Sequence, residues 1–143
     1  MEKVEFKVII ATHASLCEGY LDACRLILDS EFQAVDSLPF KANMATEEYE
    51  EKLQGLVEQS SAQPLLILTD LLGGTPTNIA AKYSHQKNLQ IITGINLSFV
   101  IEVLMHQENG MKLEELNLDE IIENAQKSLV SVTKMMRGGN IND

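Results

Sequence analysis

Two apolar runs each stop at a residue that could do chemistry: Ile9-Ile10-Ala11-Thr12 leads into His13, and Leu65-Leu66-Ile67-Leu68-Thr69 leads into Asp70. If the two runs are neighbouring strands, the Asp70 carboxylate can accept a hydrogen bond from one imidazole nitrogen. That bond fixes the tautomer and leaves the other nitrogen as a nucleophile. The segment after Asp70, Leu71-Leu72-Gly73-Gly74-Thr75-Pro76-Thr77-Asn78, supplies the rest of a site. Its two glycines let the backbone approach a ligand with no side chain in the way. A helix beginning near Thr75, with Pro76 at its first position, presents unpaired amide hydrogens at the positive end of its dipole, an arrangement suited to phosphate. Thr75 could cap that helix or donate to the phosphate. A neutral imidazole beside such donors is fit to receive a phosphoryl group. No Gly-Lys-Ser or Gly-Lys-Thr occurs here, which excludes a nucleotide-binding P-loop. Leu71 and Leu72 fit either the core or an apolar rim on which a protein partner docks.

The elements that must bring these residues together are legible from periodicity. Val4 to Ala11 reads as a first strand, and Phe32 to Leu38 as a weaker second one stopped by Pro39. Leu65 to Thr69 is apolar throughout, the habit of a strand buried on both faces, and Leu89 to Gly94 is a fourth strand. Between them lie helices from Ser15 to about Asp29, from a Thr46 cap to about Gln59, and from Thr75 through Tyr83. Asn96 caps a further helix through Leu104. Asn117 with Glu120 resembles a capping box for a fifth, whose apolar stripe runs Leu118, Ile121, Ile122, Ala125 and Leu129. Val130, Val132 and Met135 suggest a short last strand. Residues 1–136 thus form one α/β domain, and 137–143 a polar tail. In such a sheet ligands bind beyond the carboxyl ends of the strands, where strand order reverses. His13, Asp70, Gly94 and Asn96 fall at that edge. His85 and His106 fall at the other, as solvated residues.

Composition narrows the function. The chain has 143 residues, 45% of them hydrophobic, enough for one domain with a substantial core. A net charge of -10 removes the attraction that nucleic acid or an anionic membrane requires. No apolar run reaches the ~20 residues of a membrane span. The amino terminus lacks a signal-peptide pattern, so the expected location is the cytoplasm. Cys17 and Cys24 lie seven apart on a predicted helix, roughly 10.5 Å between Cα atoms at 1.5 Å per residue, too far for a disulfide. They read as reduced core thiols, and no ligand cluster argues for a metal.

Taken together, Ile9-Ile-Ala-Thr-His13, Leu68-Thr-Asp70-Leu-Leu-Gly-Gly-Thr-Pro-Thr-Asn78 and Thr93-Gly94-Ile-Asn96-Leu97 resemble the mannose-family enzyme IIA (EIIA) component of the bacterial sugar phosphotransferase system (PTS). The likeness runs from about Phe6 to Met136. It implies a phosphotransferase that forms a phosphohistidine: His13 accepts a phosphoryl group from phospho-HPr and passes it to an EIIB partner. Asp70 would orient the histidine, while Thr75 and backbone amides near Gly74 hold the phosphate, with neither cofactor nor metal. The family fold is three-layer α/β/α with a mainly parallel four-stranded sheet in the order 2-1-3-4, and a short carboxyl-terminal strand, here Val130 to Met135, exchanged in a homodimer. The membrane proteins EIIC and EIID would be indirect partners, placing the chain peripherally at the inner membrane. EIIB is expected as a separate chain. One departure is Ala14, where the family usually has glycine.

Rival readings fit less well. A response-regulator receiver would want acidic residues for Mg²⁺ where Thr12-His13 stands, and a phosphoglycerate-mutase-type phosphatase would want arginine at Thr12. A dihydroxyacetone-kinase phosphoryl donor and a regulatory IIA-like domain share the fold and remain alternatives.

Overall fold

The computed structural model describes residues 3–138. Its centre is a parallel sheet of four strands, β1 (Lys7–His13), β2 (Val35–Phe40), β3 (Leu65–Thr69) and β4 (Leu89–Ile92), in the order β2-β1-β3-β4. Six α-helices alternate with and follow these strands: α1 (Leu16–Leu28), α2 (Thr46–Gln59), α3 (Thr75–Ala80), α4 (Leu97–Glu108), α5 (Leu118–Gln126) and α6 (Val132–Gly138).

The pleat explains why the central strands are apolar at every position. Alternate side chains face opposite sides of a sheet. Val8, Ile10, Leu66 and Leu68 therefore pack with Cys17 and Cys24 of α1, Val100 of α4 and Ile121 of α5. Ile9, Ala11, Leu65 and Ile67 pack with Tyr49 and Leu53 of α2 and Ile79 of α3. Each fully buried aliphatic side chain contributes about 1.5–3 kcal/mol, so both faces drive the sheet's burial. Both cysteines are buried free thiols. Burial pushes the Cys24 thiol up to about 11, which keeps it protonated and unreactive at neutral pH.

Four expectations need correction. β2 does not stop before Pro39 but runs through it to Phe40, pairing Thr12 with Pro39 and His13 with Phe40. It is one of the two outer strands of the sheet, where a proline's missing amide hydrogen is tolerated. Thr46 is the first residue of α2 rather than its cap, and Ala45 precedes it with no side-chain hydrogen bond. Leu129 is not in the α5 stripe, since that helix ends at Gln126 and Leu129 is exposed.

The fourth correction concerns the carboxyl-terminal strand expected over Val130 to Met135, where helix α6 begins at Val132 instead and Val130 and Ser131 precede it without regular structure. The Ser131 hydroxyl accepts from the Lys134 amide and starts α6, and Lys134, Met135, Met136 and Arg137 are strong helix formers. Among the described residues there is thus no fifth strand to exchange. Arg137 and Gly138 finish α6, and the rest of the expected polar tail lies outside the described residues. The caps expected of Asn96 and Asn117 are present, accepting from the amides of Phe99 and Glu120 at 2.9 and 3.1 Å.

Candidate functional site

Because β1 and β3 are adjacent and parallel, with Ala11 opposite Thr69, their carboxyl ends emerge side by side. His13 ends the first strand and Asp70 follows the second. Asp70 Oδ2 accepts from the His13 backbone amide and lies 3.0 Å from His13 Nδ1, the two hydrogen bonds having equal length. A carboxylate can only accept, so Nδ1 carries the hydrogen and the lone pair of the neutral ring is on Nε2. The imidazole side chain is 42% exposed and the carboxylate 12%, so the ring is reachable while its hydrogen-bond partner is shielded. Asp70 Oδ1 is buried without a hydrogen-bond partner among the described residues. The negative charge of this carboxylate is therefore directed chiefly at His13.

Gly74 packs against the other edge of the ring. A Cβ built at Gly74 would come within 2.6 Å of His13 Cε1 and 3.3 Å of Nε2. Only the absence of a side chain permits that approach. The preceding Gly73 has φ +86°, a left-handed conformation that strains other residues. The Gly74 amide is engaged by the Leu71 carbonyl at 3.0 Å, so this glycine supplies space rather than a free donor. Gly74 also takes the capping position of α3, which makes Thr75 the first helical residue and puts Pro76 second. The capping alternative for Thr75 is thereby removed, as α3 has no side-chain cap. As the first residue of the helix, Thr75 has an amide without an intrahelical acceptor.

The β1–α1 turn is held from below. Thr12, fully buried, accepts the Cys17 amide at 2.7 Å and so caps α1 from five residues upstream. Ala14 takes φ 50°, the left-handed conformation that glycine adopts without strain. Its amide donates to the Phe40 carbonyl at 2.9 Å. The Phe40 ring stands edge-on to the imidazole, centroids 6.2 Å apart, and in turn packs on Tyr49. Tyr20 of α1 donates to the Ile95 carbonyl at 3.2 Å. Burial first, and then the charge of Asp70, push its phenol above the usual range, so it remains a donor.

Two contributors are not evident from the sequence. Phe40 falls beyond Pro39, where the pattern ends the strand. Thr77, buried in α3, joins Thr69, Thr93 and the Leu71 carbonyl. The only clue to Thr77 is the density of threonines around the glycine turn.

The remaining candidates are placed clearly. Leu71 and Leu72 are 58% and 79% exposed, which excludes the core. His85 is exposed, and His106 on α4 lies 3.4 Å from Glu102, away from the site. Among the described residues no group of three His, Cys, Asp or Glu side chains could hold a metal ion. The larger clefts, of about 860 and 840 Å³, are lined by residues such as Pro64, Asn88 and Lys112 or Arg25, Phe32 and Glu108, and neither includes His13.

Residues 7–126 match the family model EIIA-man, described as the PTS system fructose IIA component. The chain is 28% identical over 112 residues to the PTS system fructose-specific EIIA component of Bacillus subtilis (strain 168), covering 77% of this chain and 76% of that protein. It is 25% identical over 111 residues to the PTS system sorbose-specific EIIA component of Lacticaseibacillus casei, covering 77% and 79%. Among solved structures it is similar to the PTS IIA protein associated with the fucose utilization operon from Streptococcus pneumoniae. That match has a TM-score of 0.84 at 25% identity and covers 95% of this chain and 99% of the other.

Proposed function

The chain belongs to the EIIA-man family of sugar phosphotransferase IIA components, and on that premise we propose that it is a phosphoryl carrier with Nε2 of His13 as nucleophile. The observation that carries this reading is the Nδ1 hydrogen bond to Asp70, which leaves Nε2 bare against Gly74. In the forward step Nε2 attacks the phosphorus of phospho-HPr. The bond from phosphorus to the donor's imidazole breaks, and that ring takes back the electron pair. A P–N bond forms on His13, whose ring then bears a positive charge, its hydrogen still on Nδ1 and donated to Asp70. On this reading the carboxylate stabilises that charge, and the Thr75 amide and hydroxyl donate to the phosphoryl oxygens. Transfer to EIIB repeats the exchange with His13 as leaving group.

The exposed Leu71 and Leu72 support a docking role for partners, and the exposed Leu129, Val130, Val132 and Met136 support a homodimer. No described helix is long and apolar enough to cross a membrane, which fits a cytoplasmic carrier reaching EIIC and EIID only through EIIB.

The test is to mix the protein with ³²P-labelled phospho-HPr and locate the label. Label on His13, absent from His13→Ala and passed on to EIIB, is the expected result. Label retained by His13→Ala would refute the assignment, and label that reaches EIIB without starting sugar uptake would favour the regulatory alternative.

A further inference from the structure

We infer that Thr77 is a positioning residue for the transfer, holding the glycine turn at the distance from His13 that the reaction needs; this rests on the carrier reading above. The Thr77 Oγ1 atom lies 2.7 Å from the Leu71 carbonyl, 2.9 Å from the Thr69 hydroxyl and 3.2 Å from the Thr93 hydroxyl. A hydroxyl has one hydrogen and two lone pairs. The Thr77 hydrogen is directed at the Leu71 carbonyl and the Thr69 hydroxyl, and in the contact with Thr93 either hydroxyl can donate. This one atom ties three segments together: the end of β3, the turn after β4 and the first turn of α3.

Leu71 is the residue immediately after Asp70, and its carbonyl also accepts the Gly74 amide at 3.0 Å. The carbonyl that Thr77 holds is therefore the pivot between the two groups that bracket the imidazole, Asp70 on the Nδ1 side and Gly74 on the Nε2 side. Clearance on the Gly74 side is narrow, since a Cβ there would approach to 2.6 Å from the ring. A turn that drifts by a few tenths of an ångström either crowds the ring or releases it from Asp70. A buried, satisfied threonine with a purely structural role would stabilise the fold without affecting the imidazole. The two roles predict different measurements.

The experiment compares wild type, Thr77→Val and Thr77→Ser. The His13 Nδ1 proton is followed by NMR in the isolated protein, and single-turnover phosphorylation is followed over a range of phospho-HPr concentrations. Thr77→Val should lose or broaden the Nδ1 proton signal and slow transfer about 30-fold at saturation, with half-saturation unchanged. Thr77→Ser, which keeps the hydroxyl, should restore both to within about threefold. A wild-type signal and rate in Thr77→Val, or a Ser variant as impaired as Val, would overturn the proposal. Should Thr77→Val not fold, Thr93→Val loosens the same hydroxyl from outside and should slow transfer about threefold with a weakened signal; no change in either would count equally against it. If wild type itself takes no phosphoryl group, the carrier reading fails, while the Nδ1 comparison still decides the role of Thr77.

Discussion

Replacing Gly74 by alanine isolates the contact on which the site depends. The backbone of Gly74, at φ -78° and ψ 163°, is comfortable for any residue, so the substitution introduces no backbone strain. Its whole effect comes from one methyl group placed 2.6 Å from His13 Cε1 and 3.2 Å from the Leu71 carbonyl oxygen. Carbon atoms pack at about 3.5–4.0 Å, so the ring must retreat by about 1 Å. The imidazole is half exposed and can swing outward, which limits the damage to stability to the hydrogen bond with Asp70, about 1–3 kcal/mol. For catalysis a misplacement of that size costs about 10²-fold, or about 2.7 kcal/mol of barrier. The expected outcome for Gly74→Ala is a folded protein that takes label from phospho-HPr about 100 times more slowly than wild type. Gly73→Ala is the control. Its left-handed backbone carries about 1–2 kcal/mol of strain, yet its Cβ would meet nothing within 4 Å. It should lose stability in thermal melts and keep the transfer rate. If the two variants lose rate in proportion to their melting temperatures, the steric argument is wrong.

Three other outcomes follow from the same geometry. Asp70→Ala should leave the fold intact while slowing transfer about 10²–10³-fold, because the ring loses both its orientation and the charge opposing its phosphorylated form; undiminished transfer would remove the orienting role. Ala14→Gly should raise stability by about 1 kcal/mol, read as a shift of about 2–4 °C in melting temperature, since glycine accepts the left-handed turn without strain. Leu72→Ser should raise the phospho-HPr concentration needed for half-maximal labelling several-fold with the saturating rate kept and stability within about 0.5 kcal/mol, and an unchanged concentration dependence would take this leucine out of the docking rim.

The parts of the molecule that can be read in the sequence are those in which one physical cause dominates. Leu65 to Thr69 reads as a strand with two buried faces, whereas its place beside β1 is left open by the alternation of strands and helices and is implied only by the family resemblance; the sheet order shows it. That adjacency delivers the His13–Asp70 pair. Sequence and structure part where two causes compete. At Pro39 the missing amide hydrogen argues for a stop, but on an outer strand one side of hydrogen bonding is already open, so β2 continues and brings Phe40 to the imidazole. At Val130 to Met135 the β-branched residues argue for strand, while Ser131 and the Lys-Met-Met-Arg run favour helix and prevail. At the glycine turn the pattern leaves Thr75 as either cap or donor, and in the structure Gly74 takes the cap position, with no side-chain cap. Side-chain pattern alone does not tell which residue opens a helix when a glycine, a threonine and a proline follow one another.

On the proposed reading, the division of labour around the ring lets a carrier both load and unload at one atom. Asp70 is shielded and contacts Nδ1, so on that reading it lies away from the phosphoryl group on Nε2 and supports the charged ring in either direction of transfer. Nε2 lies towards Gly74 on a side chain that is 42% exposed. A donor and an acceptor must therefore approach the same nitrogen from the same side. They cannot be bound together, and unphosphorylated EIIB should slow loading from phospho-HPr competitively. A noncompetitive pattern would require a second approach to Nε2, which the packing of Gly74 against the ring denies.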